Sequence, residues 1–116
     1  MSVEDLRGRL PLKFERQFRP WSYRATQRRL DLRSDYNFEF GDTVYVTFFD
    51  VLAMQIRHRY DRLQIAEMVE VSTIDQFADV PERHSDRLLR LSVGDGSHEG
   101  FVMCAVFEVR IEPPTM

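Results

Sequence analysis

From Phe101 to Ile111 every second residue is apolar, through Met103, Ala105, Phe107 and Val109. Strand side chains alternate between faces with a period of two, so this spacing predicts a strand. A helix would scatter the same residues around its circumference. Leu89, Leu91 and Val93 repeat the spacing just upstream. The seven residues Gly94-Asp95-Gly96-Ser97-His98-Glu99-Gly100 between them carry turn chemistry, so the pair predicts a β-hairpin. Val102, Cys104 and Val106 are apolar on the opposite side. An antiparallel strand with one wet face would be polar there, so the middle of this sheet needs cover on both faces.

The same period runs through most of the 116 residues. Leu10, Leu12, Phe14 and, past Arg16, Phe18 predict a half-buried strand that Pro20 ends or places at an edge. Trp21, Tyr23 and Ala25 open a second strand that resumes at Leu30 and Leu32, with a bulge or polar twist at Gln27–Arg29. Residues 43–49, TVYVTFF, form a strand that continues through Leu52, Met54 and Ile56, split if the chain kinks near Asp50. Leu63, Ile65, Val69 and Val71 give another. Residues 73–86 read as a polar loop with one helical turn around Ile74–Ala78, stopped by Pro81. Residues 1–9 form a short helical or frayed lead. With no long amphipathic helix, the predicted cover is a second sheet, a rolled sheet or another subunit. The expected fold is a single all-β domain spanning 1–116, an antiparallel sandwich or open barrel of about six to eight strands with at most a short helix. A homodimer burying one sheet face is the alternative.

Composition narrows the function classes. The only cysteine, Cys104, rules out an internal disulfide and a cysteine-built zinc site within one chain. The opening MSVEDLRGRL has no continuous apolar stretch, and no run of about 18 apolar residues occurs. The expected location is therefore the cytoplasm, away from membranes. Net charge is −3, which disfavours bulk nucleic-acid binding. The charge is uneven: residues 1–33 hold nine Lys/Arg against four Asp/Glu, and residues 34–116 hold seven against fifteen. Fifteen of the sixteen basic residues are arginine, from GC-rich codon usage or from selection for forked anion-binding groups.

Catalytic patterns are missing from the sequence. Gly94 and Gly96 begin a dinucleotide fingerprint, but Gly100 falls one position late and a strand follows. The lone lysine, Lys13, follows Leu12, so no phosphate-binding loop exists. The glycines read as hairpin residues at positive φ. His58, His84 and His98 lack zinc-motif spacing, and Glu82, His84 and Asp86 read as loop side chains in solvent. Cys104 is expected buried and unreactive. Glu67/Glu70 and Asp75/Asp79 are carboxylate pairs of the kind any acidic surface offers. No catalytic residue, metal or cofactor is expected.

Two surfaces are candidates for recognition. One is Arg57-His58-Arg59-Tyr60, because arginine and tyrosine anchor protein interfaces and His58 would add pH sensitivity. The other is the edge formed by Arg19, Trp21, Tyr23 and Arg24, within a basic and aromatic run from Lys13 to Arg33. That run resembles the make-up of a single-strand nucleic-acid platform, but alternation puts Phe14 and Phe18 on the face opposite Lys13 and Arg19. Leu12–Tyr23, and Phe49–Gln55 taken with Glu99–Phe107, resemble patterns in small uncharacterised bacterial all-β proteins. The second stretch is also similar to endings found in small immunity-type proteins, which neutralise a partner toxin. The resemblance implies a binding protein and brings no catalytic residue with it. The first expectation is a non-enzymatic module that binds another protein or its own copy. The alternatives are nucleic-acid binding by residues 13–33 and a small-ligand barrel lined by Phe48, Met54, Met103 and Phe107.

Overall fold

A computed structural model describes residues 6–35, 41–68, 72–80, 87–96 and 99–113. They form strands β1 (Leu12–Phe14), β2 (Phe18–Arg24), β3 (Arg29–Ser34), β4 (Thr43–Phe49), β5 (Ala53–Gln55), β6 (Leu63–Glu67), β7 (Leu89–Gly94), β8 (Glu99–Cys104) and β9 (Val106–Glu112). One short helix, α1 (Ser72–Ala78), lies between β6 and β7. The strands make two antiparallel sheets, ordered β1-β6-β7-β8-β5 and β2-β3-β4-β9. The fold is all-β and antiparallel as the sequence predicts, a two-sheet arrangement of nine strands where six to eight are expected, with no closed barrel among the described residues. Val69, Val71, Pro81, the Glu82–His84–Asp86 set and His98 lie outside the described residues.

The main core lies between the sheets. Leu30, Leu32, Val44, Val46, Phe48 and Phe107 enter it from the four-stranded sheet, and Leu63, Ile65, Leu89, Leu91, Val93, Val102 and Cys104 from the five-stranded one. Leu6 is fully buried in it, which anchors the end of the N-terminal lead. Phe18 of β2 and Tyr60, in the connection between β5 and β6, are joined by two backbone bonds, Phe18 N–H to Tyr60 O at 2.9 Å and Tyr60 N–H to Phe18 O at 2.8 Å.

Phe101–Ile111 is two strands, one in each sheet. Val102 and Cys104 face the main core on β8, and Phe107 faces it on β9. An unbroken strand would put 104 and 107 on opposite faces. The bend at Ala105 reverses the phase and leaves Val106 37% exposed. The alternation of the sequence hides this break because both faces of residues 101–106 are apolar. The partner strand breaks alongside it at Asp50, as the sequence suggested, with φ 55°. Phe49 sits opposite Val106 and Ala53 opposite Met103, so the three residues 50–52 on one strand face the two residues 104–105 on the other. That extra residue is a β-bulge, a usual device where strands switch sheets. Leu52 falls out of phase with Met54 and is exposed.

The second face of the five-stranded sheet is covered by helix. Phe101 and Met103 pack there with Ile74 of α1 and with Leu88. Arg90 on β7 grips Asp75 on α1 through two bonds, Nε to Oδ1 at 2.7 Å and Nη2 to Oδ2 at 3.1 Å. The bidentate, partly buried ion pair holds the seven-residue helix against the sheet. Met103 therefore lies across the sheet from Phe48 and Phe107, and the four proposed ligand-lining residues do not share a cavity.

Residues 10–34 also differ from the sequence reading: the one strand expected from Leu10 to Phe18 is divided between β1 in one sheet and β2 in the other. Ala25–Arg28 is a tight turn, with Gln27 N–H on Arg24 O at 3.1 Å and Arg28 at φ 49°. The bulge lies instead at Trp21, between Pro20 and Ser22. Pro20 is on the edge strand, where a missing N–H costs no ladder bond. Gly100 has a reason other than positive φ. A Cβ built on it would overlap the Gln55 carbonyl oxygen, so only glycine lets β5 approach β8. Gly100→Ala is expected to cost about 1–3 kcal/mol through this backbone overlap. Urea denaturation checks this, and an unchanged midpoint would contradict the close approach.

Candidate functional site

The outer face of the four-stranded sheet carries no core cluster among the described residues. Antiparallel pairing arranges its side chains in rows. Arg19, Arg33, Tyr45 and Arg110 line up across β2, β3, β4 and β9. Trp21, pushed outward at the bulge, stacks on Arg33 with the guanidinium 4.1 Å from the ring centroid. Arg33 also lies 5.8 Å from the Tyr45 ring, and Arg110 lies 4.6 Å from it on the other side. Aromatic and guanidinium groups thus alternate across the sheet as Trp21, Arg33, Tyr45 and Arg110. Such contacts contribute about 0.5–1 kcal/mol each at exposed sites, and more once a partner removes water.

The next row is polar and fixes the first. Ser22, Asp31, Thr47 and Glu108 align across the same four strands. Asp31 is only 7% exposed although it points outward. It accepts from Thr47 Oγ1 at 2.6 Å and from Ser22 Oγ at 2.7 Å, and Arg29 lies 3.4 Å away. Burial alone would raise the Asp31 pKa, but the Thr47 and Ser22 hydroxyls and the Arg29 charge outweigh it and hold the carboxyl below its ordinary value. One carboxylate therefore joins three strands directly beneath the ladder. A third row holds Arg24, Arg29 and Phe49, with Arg29 5.4 Å from the Phe49 ring.

The arginines are mostly neutralised in place. Arg19 pairs with Asp35 at 2.9 Å, Arg29 with Asp31 at 3.4 Å and Arg110 with Glu112 at 3.3 Å. Arg33 is different. Among the described residues it has no carboxylate in ion-pair reach, and its buried Nε has no hydrogen-bond partner. Among the described residues it is an uncompensated cation at the centre of the face.

The two surfaces named from sequence fare differently. Tyr60 is fully buried and cannot present its side chain at a surface. Its hydroxyl accepts the Arg57 N–H at 2.8 Å, and burial raises its pKa. Arg57 stacks 5.3 Å from the Tyr60 ring and pairs with Asp95 at 3.2 Å. Only His58 and Arg59 of that set are well exposed. The Arg-Tyr signature marks an internal brace there.

The second set lies at the edge of the ladder. Arg19 and Trp21 belong to it, Trp21 being 51% exposed. Arg24 opens the third row, and Tyr23 sits half-exposed opposite Leu30. Tyr45, Asp31, Thr47 and Arg110 escaped the sequence reading because strand pairing, not chain proximity, brings them together. Cys104 is fully buried, and burial pushes its thiol up to about 12.

No protein family, curated protein or solved structure matches this chain.

The Asp31 bonds make stability depend on pH. A depressed folded pKa means the stabilisation is complete above the ordinary value of 3.8 and is lost as pH falls through the lower folded value. Asp31→Asn should cost about 1–3 kcal/mol at neutral pH, and the gap to wild type should close below about pH 4. Thermal melts of both proteins from neutral pH into acid check this; a gap that widens in acid would contradict it.

Proposed function

We propose that this chain is a non-enzymatic protein-binding module whose partner docks on the outer face of the four-stranded sheet, centred on Trp21, Arg33 and Tyr45. The observation that carries the reading is Arg33, held between two aromatic rings on a sheet face where, among the described residues, no carboxylate pairs with it and no core cluster lies over it. Tryptophan, tyrosine and arginine are the residues that most often dominate binding energy between proteins. The stacked rings also fix the guanidinium, so little freedom is lost when a partner carboxylate meets it. The chemistry favours binding over catalysis. Both oxygens of the buried Asp31 are occupied by hydroxyl donors, so it is poorly placed to act as a base.

Charge favours protein over nucleic acid. A phosphate-tracking groove needs surplus cations along its length, whereas three of the five arginines on this face, Arg19, Arg29 and Arg110, each already face a carboxylate. The partner expected is a protein offering a carboxylate flanked by apolar surface. The immunity-type resemblance points to a toxin as that partner, and the single cysteine points to the cytoplasm as the place of encounter.

The test is an affinity capture with the full chain as bait, in parallel with Trp21→Ala/Arg33→Glu and Arg57→Glu/Arg59→Glu variants of matched melting temperature. A protein retained by wild type and the Arg57/Arg59 variant, but weakened about 30-fold or more by the Trp21/Arg33 variant, is the expected result. Equal retention by all three would overturn the assignment of this face. Retention abolished by nuclease would replace it with nucleic-acid binding.

A further inference from the structure

The two sheets present four edge strands, β1 and β5 on one and β2 and β9 on the other. Exposed edges invite pairing with other chains, and proteins usually blunt them. Three are blunted here. β1 and β5 are three residues long, and β2 carries Pro20 and a bulge. β9 is seven residues long, regular, and free of proline. Its far side has no strand partner among the described residues. It also carries exposed apolar side chains, with Val106 and Val109 each 37% exposed and Ile111 59% exposed.

We propose that β9 pairs antiparallel with β9 of a second copy, about a two-fold axis through Val109, joining the two four-stranded sheets into one of eight. The charge pattern selects that register. Side chains of opposed residues share a face, so a self-paired strand must be centred on a residue. Centring on Val109 overlaps all seven residues and sets Glu108 opposite Arg110 twice, Val109 opposite Val109, and Phe107 opposite Ile111 twice. Centring on Glu108 or on Arg110 sets that residue against its own copy, with like charges face to face. Centring on Phe107 or Ile111 leaves only three residues of the strand overlapped. Opposed unlike charges stabilise a sheet pair and like charges destabilise it. Glu108 has no ion-pair partner among the described residues, and the second copy's Arg110 would supply one. This inference rests on the β9 edge alone and does not depend on the Trp21 face.

Sedimentation equilibrium of the full chain, loaded from about 1 µM to about 500 µM, tests it. The expected result is a reversible monomer–dimer equilibrium. Glu108→Arg should raise the dimer dissociation constant about tenfold, since two attractive pairs become repulsive. Arg110→Glu should act similarly, and the double swap should return to within about threefold of wild type. Because Arg110 also stacks on Tyr45, hydrogen exchange of wild type alone gives a second readout. The β9 amides should become more protected as concentration rises. A monomer at every concentration, a dimer indifferent to Glu108→Arg, or a double swap no better than the single variants would overturn the pairing.

Discussion

The strands β4–β5 and β8–β9 run as one antiparallel ribbon through both sheets, and the ribbon has to turn between them without abandoning its backbone bonds. It does so with one extra residue. Leu52 N–H reaches Met103 O at 2.8 Å and Ala105 N–H reaches Phe49 O at 3.1 Å, so the ladder is taken up again on either side of the bulge. Asp50 takes a left-handed conformation, which costs a non-glycine residue about 1–2 kcal/mol. Arg28, also left-handed, accepts the Val51 N–H at 2.8 Å and closes the corner from the β2–β3 turn. Backbone bonds from two directions over-determine the turn, which is how such conformations persist.

The consequences run outward from that corner. Because the phase of β8–β9 reverses at Ala105, Val102 and Cys104 share a core with Phe107, while Phe101 and Met103 are delivered to the opposite face under α1. The four-stranded sheet keeps one face for the core, and its outer face is where the arginine and aromatic ladder assembles. Asp31 then couples stability to that face, since one buried carboxylate bonds to both neighbouring strands. The fold and the proposed binding surface are thus set by the same strand pairing.

The β class, the β7–β8 hairpin, the break near Asp50 and the edge position of Pro20 were legible because each rests on local chemistry: a period of two, a glycine-rich turn, a proline that cannot donate. The break at Ala105 was not legible, because apolar residues on both faces give the same alternation whichever way the strand turns. The cover by α1 was missed because seven residues carry little periodic signal, and the Arg90–Asp75 grip is long-range. The site was half legible. Trp21 and Arg19 stand out beside each other in sequence, but Tyr45 and Arg110 join them only through pairing across β3 and β4. The motif Arg57–Tyr60 misled because the residues that anchor interfaces also serve as buried braces when a backbone N–H and Asp95 satisfy them.

Thiol labelling under native conditions tests the phase reversal most directly. In an unbroken strand, positions 104 and 106 would share a face and be protected alike. The measurement compares wild type, whose only thiol is Cys104, with a Cys104→Ala/Val106→Cys protein. The account predicts that Cys104 reacts only on unfolding, while the thiol at position 106 reacts at a rate near that of an exposed cysteine. Equal protection at the two positions would contradict the sheet switch, and with it the placement of the outer face.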